Sequence, residues 1–211
     1  MEIKQLEEKD TESFCALIKN MYSNLENLEW FTPMPFDKES VKTMMEKPRF
    51  FIIGCFENNK LCGVSSLDYK CGKLIGKIDF PAEVNTESLV EIGFNMVHSN
   101  HRGKGIMKQM VSYLLEKCKI DGYEWVFSKV HKDNFASSKS LEKNGFNAFA
   151  SYAKSVSKED FISLSSQDFL AKQEKKTLKR HSVNLLTAKR LSLTTTYISK
   201  KCKWGYYDWW R

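Results

Sequence analysis

One stretch constrains the fold more than any other, because a strand there runs into a helix through a short loop with two glycines. The apolar segment 89–97 is followed by HSNHRGKG, which contains Gly103 and Gly105. Helical spacing then spans residues 105–119, with apolar positions at Ile106, Met110, Leu114 and Cys118. Glycines let the backbone approach a bound group, and the first helical turn offers N–H donors without partners. The stretch predicts an anion site, although a plain strand-to-helix turn has the same pattern.

Two familiar phosphate-binding motifs are absent from the chain. A P-loop needs GxxxxGK followed by Ser or Thr, and no segment has this pattern. A dinucleotide fingerprint, GxGxxG, needs a third glycine at the position of Lys108. The glycine loop therefore belongs to neither class.

The periodicities on either side predict helices and strands around this stretch. Apolar or alternating runs predict strands at residues 3–6, 49–56, 61–67, 124–130 and 146–156. Helical spacing and capping residues predict helices that start near Asp10 or Thr11, at Asp37 and at Asn134. Weaker patterns suggest strands at 71–78, 161–164 and 191–199 and a helix at 172–190. This order predicts an α/β or α+β domain built on a mixed sheet.

A second segment gives the glycine loop its context. The segment RGKGI at 102–106 is followed about 30 residues later by NFASSKSLEKNGF at 134–146. Together they resemble the GNAT superfamily of acyl-CoA-dependent N-acyltransferases, with its (R/Q)xxGx(G/A) pyrophosphate loop and an NxxSxxxLEKxGF helix. Arg102 and Gly105 match the loop, whereas Met107 replaces its last small residue. The resemblance implies a GNAT-like mixed, mostly antiparallel sheet flanked by helices.

The resemblance also implies acetyl-CoA as the co-substrate. Its pantetheine arm is expected along the strand before the loop, and its pyrophosphate on the amides of the loop and first helical turn. The implied cofactor-binding residues are Asn95, Met96, Val97, Arg102, Gly103, Lys104, Gly105, Ile106, Met107 and Lys108. Asn134 and Ser137 are implied to contact the cofactor from the later helix, although helix capping also explains Asn134. No metal site is expected.

The implied reaction is direct attack of an amine on the thioester. The amine must be neutral, so a general base assists, and Glu91 occupies a position where several family members carry a catalytic glutamate. A solvent-facing strand residue would also fit Glu91. Many relatives protonate the departing thiolate with a tyrosine, which is Leu141 here, so Ser137 is the candidate donor.

The acceptor is expected near the proline-interrupted segment 24–36, where this superfamily builds its acceptor-binding loop. Trp30, Phe31 and Phe36 are the candidate substrate-binding residues, and core packing of this segment explains them equally well. The predicted function is acetyl transfer to a primary amine of a small molecule or a protein. The alternative is a catalytically weak CoA-binding module, or one that binds nucleic acid or the ribosome.

Positive charge is concentrated towards the C-terminus. The net charge is +7, and residues 172–211 hold eleven lysines and arginines against two acids. We expect residues 1–170 to form the acetyltransferase domain and residues 171–211 to form a separate basic segment that cofactor binding does not require. Basic and aromatic residues are interleaved near the end of that segment, as they are in nucleic-acid-binding segments. The expected partners of the protein are nevertheless acetyl-CoA and an amine acceptor rather than a nucleic acid.

Other features of the sequence bear on its compartment. No apolar run reaches the roughly 18 residues of a membrane helix, and MEIKQLEEKD lacks the pattern of a secretory signal. The six cysteines form no CxxC pair and have no zinc spacing. These features predict a cytoplasmic protein with reduced thiols and no membrane association.

Overall fold

The computed structural model describes residues 1–27, 30–31, 34–70, 82, 84–131, 133–155 and 191–199, with the backbone alone for 148–155 and 191–199. The strands predicted at 71–78 and 161–164 and the helix predicted at 172–190 lie outside these residues.

A single sheet runs through the described part of the chain. Its strands are β1 (Glu2–Gln5), β2 (Phe50–Glu57), β3 (Lys60–Asp68), β4 (Leu89–Val97), β5 (Trp125–His131), β6 (Asn147–Ser155) and β7 (Leu191–Ser199). They are ordered β1-β2-β3-β4-β5-β7-β6. Neighbours are antiparallel except β4 and β5, which are parallel. The predicted mixed, mostly antiparallel sheet is confirmed.

Helices flank this sheet on both faces. The α-helices are α1 (Thr11–Ser23), α2 (Lys38–Met45), α3 (Ile106–Ile120) and α4 (Phe135–Glu142). Short 3-10 turns occur at Glu8–Asp10, Thr86–Ser88 and Ser99–His101. None of the helices in the described ranges has the length and apolarity that crossing a membrane requires.

Local sequence signals explain where several elements begin and end. The Asp37 side chain accepts a hydrogen bond from the Ser40 N–H at 2.8 Å and starts α2. Between β2 and β3, Asn58 and Asn59 have φ angles of 50° and 61°, as a tight hairpin turn of the mirror-image type requires. The predicted start of a helix at Asp37 is confirmed.

The core consists of two apolar layers, one on each face of the sheet. On one face, α1 and α2 cover strand residues that include Ile52, Val64 and Met96. On the other face, α3 and α4 cover the alternate residues, among them Ile53 and Ile92. Apolar residues at helical spacing in α1 are buried: Phe14, Leu17, Ile18 and Met21.

The strand predicted at 191–199 is β7, and it lies inside the sheet. It pairs antiparallel with β5 on one side and with β6 on the other. The sheet therefore includes residues that follow position 170. The placement of residues 171–190 and 200–211 lies outside the described part of the chain, so the domain boundary at residue 170 stays a prediction.

A buried tyrosine fixes the segment that follows α1. The Tyr22 hydroxyl accepts a hydrogen bond from the Met34 N–H at 2.7 Å and donates to the Met34 carbonyl at 3.4 Å. Burial raises the pKa of Tyr22 to about 12, so the hydroxyl remains a donor at neutral pH. This side chain thus satisfies both backbone groups of a buried residue in a segment that has no regular ladder.

We expect Tyr22→Phe to lower the free energy of unfolding by about 1–3 kcal/mol, because it leaves two buried backbone groups without this partner. Urea denaturation measures the change. Tyr113→Phe is the matched control, since Tyr113 is 40% exposed. An equal effect of the two substitutions would contradict the role of the Tyr22 hydroxyl.

Truncation after Ala171 removes β7 from between β5 and β6, so we expect loss of the cooperative unfolding transition or aggregation. Truncation after Lys200 keeps β7 and is the control. Denaturation and size-exclusion chromatography compare the two proteins. A monomeric 1–171 protein with an unchanged unfolding transition would show that β7 is not part of the structural unit.

Candidate active site

The parallel ladder between β4 and β5 is short. Residues 89–91 of β4 pair with residues 125–127 of β5, and the pairing ends there. On its other side, β4 continues to pair with β3 as far as Val97. Along residues 93–97, therefore, no described strand pairs with β4 on its β5 side, which leaves a gap there.

A buried hydroxyl closes the narrow end of this gap. The Ser128 Oγ donates a hydrogen bond to the Ile92 carbonyl at 2.9 Å, and Ser128 is 2% exposed. The bond spans β4 and β5 one step after their ladder ends. It fixes where the two strands begin to separate.

A β-bulge distorts β4 beside the gap. Val64 pairs with Met96 and Ser66 with Gly93, so β4 has one more residue than β3 across this interval. Phe94 lies in the bulge with a φ of 51°, a conformation that costs free energy in a non-glycine residue. The bulge thus interrupts the regular peptide orientation next to the opening.

A cleft of about 260 Å³ passes through this opening. It is lined on one face of the sheet by Glu91 and Gly93 and, towards the other face, by Ile92 and Met107. Seven of the sixteen residues predicted for catalysis or binding line it: Trp30, Phe31, Glu91, Asn95, Met107, Asn134 and Ser137.

Glu91 is buried rather than solvent-facing, being 9% exposed. Its carboxylate Oε1 lies 2.9 Å from the Lys129 Nζ on β5. Burial raises the pKa of Glu91, and the positive charge of Lys129 opposes that rise. A raised carboxyl pKa makes this group a stronger base than a surface glutamate.

A second ion pair lies beside the first. Asp68 is the partner of Glu91 across β3 and β4, and it accepts hydrogen bonds from the Arg49 guanidinium, one of them at 2.6 Å from Nε. Asp68 also accepts the Lys70 N–H at 3.0 Å. The cleft therefore contains two carboxylates and two cations in adjacent pairs.

The glycine loop follows β4 directly. Gly103 and Gly105 have φ angles of 80° and 74°, and a Cβ at either position would meet nothing within 4 Å. Backbone conformation, rather than crowding by the protein, is the requirement that both glycines meet. The loop leads into the start of α3 at Ile106, where the first N–H groups of a helix have no partner within the helix.

The predicted cations of this loop differ in their contacts. Arg102 folds back, with its Nε 3.4 Å from the Val97 carbonyl. The Lys104 Nζ lies 3.4 Å from a Glu57 carboxylate oxygen, which offsets part of its charge. Lys108 is exposed on α3.

Three predicted cofactor-binding residues have side chains committed elsewhere. Ile106 and Met96 are 1% and 2% exposed and pack in the two apolar layers. The Asn95 Oδ1 accepts a hydrogen bond from Ser65 at 2.6 Å. For Ile106 and Met96, only the backbone is available to a ligand.

Asn134 and Ser137 lie on the far side of the gap. The Asn134 Oδ1 accepts a hydrogen bond from the Ser137 N–H at 3.2 Å and caps α4. Both residues line the cleft with Leu141. Capping therefore accounts for one polar atom of Asn134 and also fixes the position of Ser137.

The aromatic residues of the segment 24–36 divide into two groups. Trp30 and Phe31 line the cleft. Phe36, which was expected to bind substrate, is 5% exposed and packs against Tyr22 in the layer under α1 and α2. The structure therefore does not bring Phe36 to the cleft, and its alternative explanation as a core residue fits its position.

Sequence reasoning missed several cleft residues. Arg49, Asp68 and Lys129 gave a weak signal, as charged residues within or beside apolar strands. The Ser66 Oγ and the Trp30 Nε1 are buried and have no hydrogen-bond partner among the described residues. Both residues line the cleft, so a bound molecule is a natural partner for them.

Comparisons with known proteins agree with this architecture. No curated protein matches the chain. Similar solved structures include an N-acetyltransferase from Staphylococcus aureus Mu50, with 15% identity, a TM-score of 0.63 and coverage of 95% of this chain and 98% of that chain. A ribosomal-protein-alanine N-acetyltransferase from Brucella melitensis has 15% identity, a TM-score of 0.63 and coverage of 95% and 99%. The protein yncA of Salmonella typhimurium, solved with its cofactor acetyl-CoA, has 15% identity, a TM-score of 0.64 and coverage of 99% and 98%.

At these identities the structural likeness shows the fold alone. The model of the acetyltransferase (GNAT) domain family, however, matches residues 1–147, which is well over half of the chain. The resemblance found in the sequence is thereby confirmed, and the chain belongs to the GNAT acetyltransferase family.

Proposed function

We propose that this protein transfers the acetyl group of acetyl-CoA directly to a primary amine of a small molecule or a protein. The observation that carries the proposal is the gap between β4 and β5, which opens onto a cleft with a buried carboxylate. A ligand with amide groups can pair with the free side of β4 as an added strand does.

The cofactor lies along β4 with its pyrophosphate towards the glycine loop. Its pantetheine arm pairs with the backbone of Asn95, Met96 and Val97, and its pyrophosphate lies on the amides of residues 102–108 at the start of α3. Asn134 and Ser137 face the arm from the opposite side. The Salmonella typhimurium neighbour, solved with acetyl-CoA, supports this assignment.

The chemistry then divides among residues of the cleft. The acceptor nitrogen forms a bond to the thioester carbon, the C–S bond breaks, and the CoA sulfur leaves as a thiolate. Glu91 takes a proton from the amine, and the Ser137 hydroxyl donates a hydrogen bond to the departing thiolate. A backbone N–H of the Phe94 bulge stabilises the negative charge that develops on the carbonyl oxygen.

The acceptor lies on the other side of Glu91 from the cofactor. Rings of Trp30, Phe31 and Phe50 line this part of the cleft and favour an amine on an apolar stem. The Ser66 hydroxyl lies on the same face of the sheet as Glu91 and is free to accept a hydrogen bond from the amine. Release of free CoA thiol over a panel of primary amines tests the proposal. Binding of acetyl-CoA without turnover of any amine would favour the catalytically weak module instead.

We expect Gly105→Glu to raise the Kd for acetyl-CoA by at least about tenfold, equivalent to ~1.4 kcal/mol, because it adds bulk and negative charge where the pyrophosphate lies. Gly105→Ala is the matched control, since it imposes the same positive-φ strain without the charge. Calorimetry compares both variants with the wild-type protein. Wild-type affinity in Gly105→Glu would show that the loop is not part of the binding site.

We expect Glu91→Gln to lower turnover by about 100-fold at neutral pH. The activity of the variant should recover as the pH rises and the neutral form of the amine accumulates. In the wild-type protein, the raised pKa of Glu91 places the loss of activity on acidification above the pH of an ordinary carboxyl group. The pH profile of kcat/KM measures both effects. Glu116→Gln, on the exposed side of α3, is the control. If Glu91→Gln leaves the profile unchanged, another group is the base.

A further inference from the structure

Lys129 occupies an unusual position for a lysine. Six of the seven residues of β5 are buried, whereas Lys129 is half-buried. Its side chain is 24% exposed and lines the cleft. A lysine side chain that is largely buried usually has a charged partner, which identifies the group that it stabilises.

The partner of Lys129 is the proposed catalytic base. The Nζ lies 2.9 Å from the Glu91 Oε1, whose side chain is 11% exposed. Glu91 pairs with Phe127 across the last step of the β4–β5 ladder, and Lys129 follows two residues later on the same face of β5. The ladder therefore places this pair where the two strands begin to separate.

The other charges around Glu91 do not replace Lys129. Asp68 lies opposite Glu91 on β3, and its negative charge opposes ionisation of Glu91. Arg49, next to β2, directs two nitrogens at Asp68 and so offsets mainly that carboxylate. Lys129 is in direct contact with Glu91, and its charge lowers the Glu91 pKa more than the charge of Arg49 does.

We propose that Lys129 is a positioning residue that holds the Glu91 carboxylate in the cleft and keeps it ionised in the resting enzyme. The inference rests on the proposed role of Glu91 as general base. During transfer, the proton that leaves the amine nitrogen neutralises Glu91 and weakens its pair with Lys129. The positive charge of Lys129 then favours release of that proton to solvent, which restores the carboxylate for the next turnover.

The proposal predicts that Lys129→Met raises the pKa of Glu91 by about 1–3 units, because an opposite charge at this distance is removed. The carboxyl ¹³C resonance of Glu91, assigned with Glu91→Gln, reports that pKa without any need for activity. Lys129→Arg keeps the charge and should restore the wild-type titration. Lys129→Gln provides the same neutral comparison if Lys129→Met does not fold.

The pH profile of kcat/KM provides the second measurement. We expect its acid limb to move to higher pH by the same amount in Lys129→Met, with activity recovering in alkaline solution, and to stay in place in Lys129→Arg. Lys119→Met, which removes an ion-paired lysine from the far end of α3, is the control for lost charge.

The two measurements separate the inference from the function on which it rests. An unchanged Glu91 titration in the neutral variants would overturn the role of Lys129. A shifted titration with an unmoved pH profile would support the control of Glu91 by Lys129 and would overturn Glu91 as the base. Shifts of both in parallel are the result that the proposal predicts.

Discussion

The short ladder between β4 and β5 is the constraint on which the rest of the site depends. Because pairing stops after Glu91 and Phe127, the sheet has a gap between β4 and β5. The layers of helices on its two faces remain in place. The Ser128 hydroxyl closes the narrow end of that gap, the Phe94 bulge distorts β4 beside it, and the glycine loop follows the end of β4. A ligand that fills the gap gains backbone partners that a continuous sheet would not offer.

Charge in this gap is balanced rather than concentrated. Two carboxylates and two cations form adjacent pairs, Arg49 with Asp68 and Lys129 with Glu91. Ion pairs removed from water contribute little net stability, and in both pairs here the carboxylate is largely buried and the cation partly exposed, so their value is in orientation and in proton affinity. Aromatic rings of Trp30, Phe31 and Phe50 line the same cleft.

Much of the fold was predictable from the sequence, because its signals are local. Asp37, Asn134 and the two asparagines of the hairpin mark boundaries through their own backbone contacts. The ion pairs were not predictable, since Arg49 is 19 residues from Asp68 and the contact depends on strand register. Phe36 was assigned to substrate and packs in the core, because an aromatic residue in an irregular segment has no periodicity that tells the two apart. The positive φ of Phe94 was not predictable either, because no local signal in the sequence marks the bulge.

Backbone amide NMR of the full chain, titrated with acetyl-CoA, tests the central claim most directly. The account predicts the largest chemical-shift changes at residues 93–97 and 102–108 and at Asn134, with slowed hydrogen exchange along β4, because the ligand takes the place of a strand beside it. Changes confined to other parts of the sheet, with residues 93–97 unaffected, would show that the gap between β4 and β5 is not where the cofactor binds.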